Sequence, residues 1–156
     1  MALRHAYLVR HGKAQEREGW SRRDSLRPLE PAGERQAVGI ARRLRARVLR
    51  VDSSPAVRCL DTVRPLAKAA GLRLRRARAL GEGADPADAL ALMRRMRVGS
   101  AAFCTHGDVM LGVLEMLADS GVRLEGGLRL PKGSAWRIDL RPDGSVVRAR
   151  YLKPSR

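Results

Sequence analysis

Tyr7-Leu8-Val9-Arg10-His11-Gly12-Lys13-Ala14 is the stretch from which the rest of the chain is read. An apolar, β-prone run stops at an arginine and a histidine, and a glycine follows where the backbone must turn. Residues up to Val9 suit a buried, rigid core strand. Arg10 and His11 then emerge at its carboxyl end, and Gly12 permits both a turn and close approach of a ligand. A second run, Ala101-Ala102-Phe103-Cys104-Thr105, ends the same way at His106-Gly107.

Between and beyond these runs, strands alternate with helices. Residues 12–30 form a long polar loop containing Gly19, Trp20, Asp24 and Leu26-Arg27-Pro28-Leu29, and a loop of that length is usually functional or disordered. Pro31 opens a helix through about Arg47, with Ala37, Ile40, Ala41 and Leu44 on its apolar stripe. Leu49 to Asp52 reads as a short strand. Ser54 caps a helix whose first residue is Pro55 and whose end is Gly71. Leu72 to Ala77, alternating Arg and Leu, suits an edge strand. Asp85 caps a helix from Pro86 to about Met96, and another helix runs from Asp108 to Leu117 with Val109, Val113 and Met116 inward and Met110 less so. Residues 126–131 are irregular, and residues 134–140 and 145–152 form a hairpin turning at Pro142-Asp143-Gly144. The expected fold is a three-layer α/β/α sandwich with a mostly parallel sheet and an antiparallel C-terminal strand pair. Residues 1–156 are expected to form a single domain.

Aromatics make up 3% of residues against 44% hydrophobic overall, so the core must be aliphatic. The formal charge of +16 gives a positive field that attracts anions. No zinc-finger spacing, heptad-linked basic region or aromatic platform accompanies it. Nucleic acid is therefore a possible partner that no motif indicates, and small phosphorylated substrates fit equally well. Cys59 and Cys104 lack metal-binding spacing and form no disulfide framework, which makes a reducing cytoplasm the simplest home. No stretch approaches the ~18 apolar residues of a membrane span.

Ligands of open α/β sheets collect at the carboxyl ends of strands. Arg10, His11, Arg58 and His106 all follow strands, and together with a helix N-terminus they would cradle a dianionic phosphoryl group. Singly, each of these residues has an ordinary structural explanation. The two matching strand-His-Gly units separate the site from that background. His5, near the N-terminus, is expected to be solvated, Cys104 to fill a buried strand, and Trp20 and Trp136 to pack or form a lid.

Leu8-Val9-Arg10-His11-Gly12, Ser54-Pro55-Ala56-Val57-Arg58-Cys59-Leu60-Asp61-Thr62 and Thr105-His106-Gly107 resemble, in order, the three signature segments of the histidine phosphatase, or phosphoglycerate mutase-like, superfamily. Arg10-His11-Gly12-Lys13-Ala14, with Leu26-Arg27-Pro28-Leu29 and Gly33 downstream, most resembles its SixA-type phosphohistidine phosphatases. It is also similar to the phosphatase domain joined to some mycobacterial Nudix hydrolases.

The resemblance implies hydrolysis of a phosphohistidine or small phosphomonoester through a covalent phosphohistidine on His11, with no metal or cofactor. The substrate would be a phosphorylated small molecule or a phosphohistidine protein, and membranes are not involved. Arg10, Arg58 and His106 would hold the phosphoryl oxygens, Gly12 and Gly107 would let the backbone approach, and Arg27 would add a fifth contact. The positive neighbours should also lower the pKa of His11 from about 6.5. Glu82 is the positional match for the general acid, with Asp85 behind it, although SixA-type enzymes can lack that acid. The alternative is a phosphate-recognising binding or regulatory module with little turnover. Substrate choice would lie in residues 15–30 and 81–88.

Overall fold

In the computed structural model, which describes residues 2–154, the opening run is β1 (Arg4–Arg10) and lies in the middle of the sheet. The chain continues through α1 (Pro31–Leu44), β2 (Val51–Ser53), α2 (Val57–Ala70), β3 (Leu74–Arg76), α3 (Pro86–Arg94), β4 (Ser100–Thr105) and α4 (Gly107–Asp119). It ends with β5 (Leu124–Glu125), β6 (Ala135–Leu140) and β7 (Val146–Leu152). The seven strands are ordered β3-β2-β4-β1-β6-β7-β5. β1, β2, β3 and β4 pair in parallel, β6 is antiparallel to both β1 and β7, and β5 runs parallel to β7. Met1, Ser155 and Arg156, part of the expected single domain, lie outside the described residues.

Alternation along β1 buries both faces of the sheet. Ala6 and Leu8 join the core formed with α3 and α4, while Tyr7 and Val9 join the core formed with α1 and α2. No helix among the described residues is long and apolar enough to cross a membrane. Arg10 pairs with Thr105 across the parallel β1–β4 ladder, so His11 and His106 leave adjacent strands at the same level.

Several local expectations are corrected. α2 begins at Val57, not Pro55, and no side chain caps it. The Ser54 hydroxyl instead lies 2.8 Å from His106 Nε2 and accepts the Ala56 N–H at 3.2 Å, which keeps the intervening turn out of the helix. β2 starts at Val51 although the Leu49 N–H already donates to the Ser100 carbonyl at 2.9 Å. α1 stops at Leu44 and α3 at Arg94, each a turn or less short of the expected end. Met110 is fully buried and Met116 only partly so. His5 is half-buried, and its Nδ1 lies 2.7 Å from Asp139 Oδ1. The two-residue β5 carries too little pattern to have been expected.

Candidate active site

His11 is 6% exposed, and its Nδ1 lies 2.8 Å from the Gly12 carbonyl oxygen. A carbonyl can only accept, so Nδ1 carries the proton and Nε2 keeps the lone pair. The pKa is lowered to about 3, first by burial and then by the charges of His106, Arg58 and Arg10, against the opposing Gly12 hydrogen bond. Positive neighbours alone were expected to do this, but burial is the larger cause.

Arg10 donates through Nη1 to the Leu130 carbonyl at 2.6 Å. Its guanidinium lies so close to Gly107 that a Cβ there would sit 2.8 Å from Cζ. Burial lowers the Arg10 pKa, and the Asp108 carboxylate opposes the shift. Arg58, 2% exposed on the first turn of α2, donates through Nη1 to the Asp24 carbonyl at 3.0 Å. Its Nη2 reaches Glu82 Oε2 at 2.5 Å, Asp24 Oδ2 at 3.1 Å and His106 Nδ1 at 3.4 Å. The Nε atoms of both arginines are buried without a hydrogen-bond partner. An unpaired buried donor is costly, and the same holds for Nε of Arg4 and Arg137 away from this cleft.

His106 packs edge-on against His11, with ring centroids 5.5 Å apart. Its Nε2 lies 2.8 Å from Ser54 Oγ, and its Nδ1 faces Arg58 Nη2 at 3.4 Å and Glu82 Oε2 at 3.8 Å. Arg27 is 7% exposed, held by the Gln15 carbonyl at 2.6 Å and Asp24 Oδ1 at 3.1 Å, and faces the same cleft.

Arg10, His11, Arg27, Arg58, Glu82, His106 and Gly107 thus line one cleft of about 470 Å3. Two expected members do not take part as foreseen. The Gly12 N–H donates to Thr62 Oγ1 at 2.9 Å, and a Cβ on Gly12 would meet Gly33 O at 3.0 Å, so this glycine serves packing against α1. Asp85 accepts the Ala87 N–H at 2.9 Å as the cap of α3, away from the cleft.

Further residues gather here without having been singled out. Asp24 bridges Arg58 and Arg27. Burial would push its pKa up, but the Arg27 hydrogen bond and the charges of Arg58, Arg27 and Arg17 outweigh that and hold it down. Asp108 Oδ2 accepts the Gly83 N–H at 2.8 Å and ties the Glu82 loop to α4. Lys132 also lines the cleft. Asp24 opens a three-residue 3-10 turn, Asp24–Leu26, and Lys132 sits in an irregular segment, neither with a periodic signal, whereas Ser54 was visible but was given a capping role. Among the described residues, no group of three or more His, Cys, Asp or Glu is placed to hold a metal ion.

Residues 6–84 match the family model described as histidine phosphatase superfamily (branch 1). The chain is 35% identical over 155 residues to an 8-oxo-(d)GTP phosphatase of Mycolicibacterium smegmatis, an alignment covering 94% of this chain and 47% of that protein. The chain therefore spans about half the length of that curated relative. Similar solved structures include the putative phosphohistidine phosphatase SixA from Agrobacterium tumefaciens, with a TM-score of 0.74 and 24% identity over 97% of this chain and 99% of that one. Another is the protein histidine phosphatase SixA complexed with tungstate, with a TM-score of 0.74 and 19% identity over 96% and 94% of the two chains. At these identities the structures establish a shared fold.

Proposed function

Since the chain belongs to the histidine phosphatase superfamily, we propose that it is a phosphatase that carries its phosphoryl group on His11 Nε2, with residues 1–156 forming one catalytic domain. The observation that carries this is the His11 tautomer: Nδ1 donates to the Gly12 carbonyl, leaving the Nε2 lone pair of a ring that burial and the charges of its neighbours keep neutral. The candidate substrates are a phosphohistidine or a small phosphomonoester.

In the first step the Nε2 lone pair attacks phosphorus and the bond from phosphorus to the leaving atom breaks. Arg10, Arg58 and His106 hold the three equatorial oxygens as charge redistributes. In the second step water attacks phosphorus, the P–N bond breaks, and the lone pair returns to Nε2. A unit-charge pair at ~4 Å in an effective dielectric of ~20 is worth about 4 kcal/mol, so loss of Arg58 should cost orders of magnitude in rate.

Glu82 is the candidate proton donor for basic leaving groups. It is held by Arg58 at 2.5 Å, and an incoming dianion would compete for that guanidinium. That competition would free Glu82 to face the leaving atom. The carboxylate left behind would take a proton from the attacking water in the second step.

Wild-type protein should hydrolyse a generic aryl phosphate and yield an acid-labile phosphoenzyme on rapid quench, and His11→Ala should do neither. Retained activity in His11→Ala would overturn the proposal. Glu82→Gln should slow alkyl phosphates more than phosphohistidine or aryl phosphate. Equal rates on all three would remove Glu82 from the chemistry.

A further inference from the structure

Cys59 and Cys104 are the two cysteines of the chain, both fully buried, and the chemistry proposed above uses neither. Cys59 is the third residue of α2, and its Sγ lies 3.5 Å from His106 Nε2. The His106 ring therefore has two unlike edges. Nδ1 faces Arg58 and Glu82, while among the described residues only Ser54 and Cys59 meet Nε2.

The surroundings of Cys59 favour a thiolate. It sits in the first turn of α2, which no side chain caps, and the positive end of a helix stabilises sulfur in its charged form. Burial raises the Cys104 pKa, and the bond to Cys59 and the charge there raise it further, so Cys104 keeps its proton and donates it to Cys59. Burial would raise the Cys59 pKa too, but the hydrogen bonds of Cys104, His106 and Ser54 and the charge of His106 hold it below the usual thiol value. His106, for its part, has a cation 3.4 Å from Nδ1 in Arg58, which opposes a positive ring. A buried positive ring beside an arginine requires a counter-anion close by.

We propose that Cys59 is that counter-anion: its proton rests on His106 Nε2, and the imidazolium so formed meets the phosphoryl group through Nδ1–H. The S–H bond breaks, the Nε2–H bond forms, sulfur keeps the electron pair, and the net charge is unchanged. Ser54 completes the pair. Its Oγ accepts the Nε2–H at 2.8 Å and turns its own proton to Cys59 Sγ. Cys59 does not touch substrate, so it is a positioning residue that acts through His106. That role in turnover rests on the phosphatase assignment above, whereas the ion pair itself does not. The other titratable groups around the ring are Arg58 on α2, Glu82 before α3, His11 after β1 and Asp108 on α4. A cysteine serving only as a small core filler would leave His106 without this charge.

The ultraviolet absorbance of a thiolate reports the pair directly. At pH 7, wild type minus Cys59→Ser should show one thiolate per chain. In a His106→Asn background the same difference should appear only above about pH 8.5, the ordinary thiol range. Nitrogen NMR of labelled wild type, which needs no variant to fold, should find protons on both His106 nitrogens at pH 7. In Cys59→Ser the alkaline limb of kcat/KM for an aryl phosphate should move down by about one pH unit or more, the effect of losing an opposite charge at this range. Cys59→Ala should match Cys59→Ser, because size and polarity are not what is lost. A packing role would instead lower the rate by one factor at every pH. Absence of the thiolate band, a singly protonated His106 at pH 7, or an unmoved alkaline limb in Cys59→Ser would overturn the proposal, and turnover by wild type would leave the phosphatase assignment standing. Wild type that shows the band and both ring protons but hydrolyses no phosphorylated substrate would keep the ion pair and overturn the phosphatase assignment.

Discussion

The proton on His11 Nδ1 is spoken for by the Gly12 carbonyl, and the ring's pKa is pushed to about 3 by burial and by the neighbouring cations. Nε2 is thus a free base throughout the neutral range, so the acid limb of kcat/KM should not fall near the ordinary histidine value of about 6.5. An acid limb near pH 6 should instead follow the substrate's second phosphate ionisation, about 6, and move when substrates of different pKa are compared. The same shift acts on stability. Between about pH 3 and 6.5 the unfolded chain binds a proton that native His11 refuses, so stability falls as pH drops through that window. His11→Gln should flatten this dependence in urea titrations at pH 4 and pH 7, and an unchanged slope would put the acid sensitivity elsewhere.

At the scale of elements, close backbone approach brings the site's loops to their places. Gly33, on the first turn of α1, lets the helix sit on the turn after β1, since a Cβ there would lie 2.1 Å from the Lys13 carbonyl oxygen. Gly112 does the same for α4 against α3, where a Cβ would lie 2.2 Å from Pro86 Cγ. Pro86 opens α3 directly after the loop that bears Glu82. Gly112→Ala should therefore destabilise the fold by about 1–3 kcal/mol, the usual cost of overpacking, and should also lower turnover. Chemical denaturation beside steady-state kinetics checks both, and wild-type stability in the variant would show that the two helices are free to part. Asp108 adds a polar tie between α4 and the loop that leads into α3, through the Gly83 N–H.

Across the whole molecule the charge of +16 is not confined to the site. Arg50, Arg73, Arg75 and Arg76 surround a cleft near the amino ends of the strands, at the other end of the sheet from His11. The arginine-bearing edge strand β3 fits the ordinary use of charge to protect a sheet edge from pairing with another chain. The summed field should favour capture of anionic substrates. Raising ionic strength from about 0.01 M to about 0.15 M shortens the Debye length from about 30 Å to about 8 Å, so kcat/KM for a dianion should fall while kcat stays nearly constant. A fall in kcat of equal size would place the salt effect in the chemical step.

The sequence by itself determined the layered α/β architecture, the two strand-His-Gly units, the edge position of β3 and the cap at Asp85. Each rests on a local signal: apolar runs of strand length, a proline after a capping side chain, a glycine at a turn. It also brought Arg10, Arg58 and His106 together on paper, because residues following parallel strands share one end of a sheet. Only the tertiary structure decided that Ser54 holds His106 in place of capping a helix, that Gly12 serves packing, and that burial leads in lowering the His11 pKa. It alone placed Asp24 between two arginines and left Trp20 outside the core. The physical reason is distance along the chain. Ser54 and His106 are separated by 52 positions, and Arg58 and the Asp24 carbonyl by 34. A contact between segments that far apart has no period to read, since it depends on how the loops cross the sheet's carboxyl end once the two cores have closed.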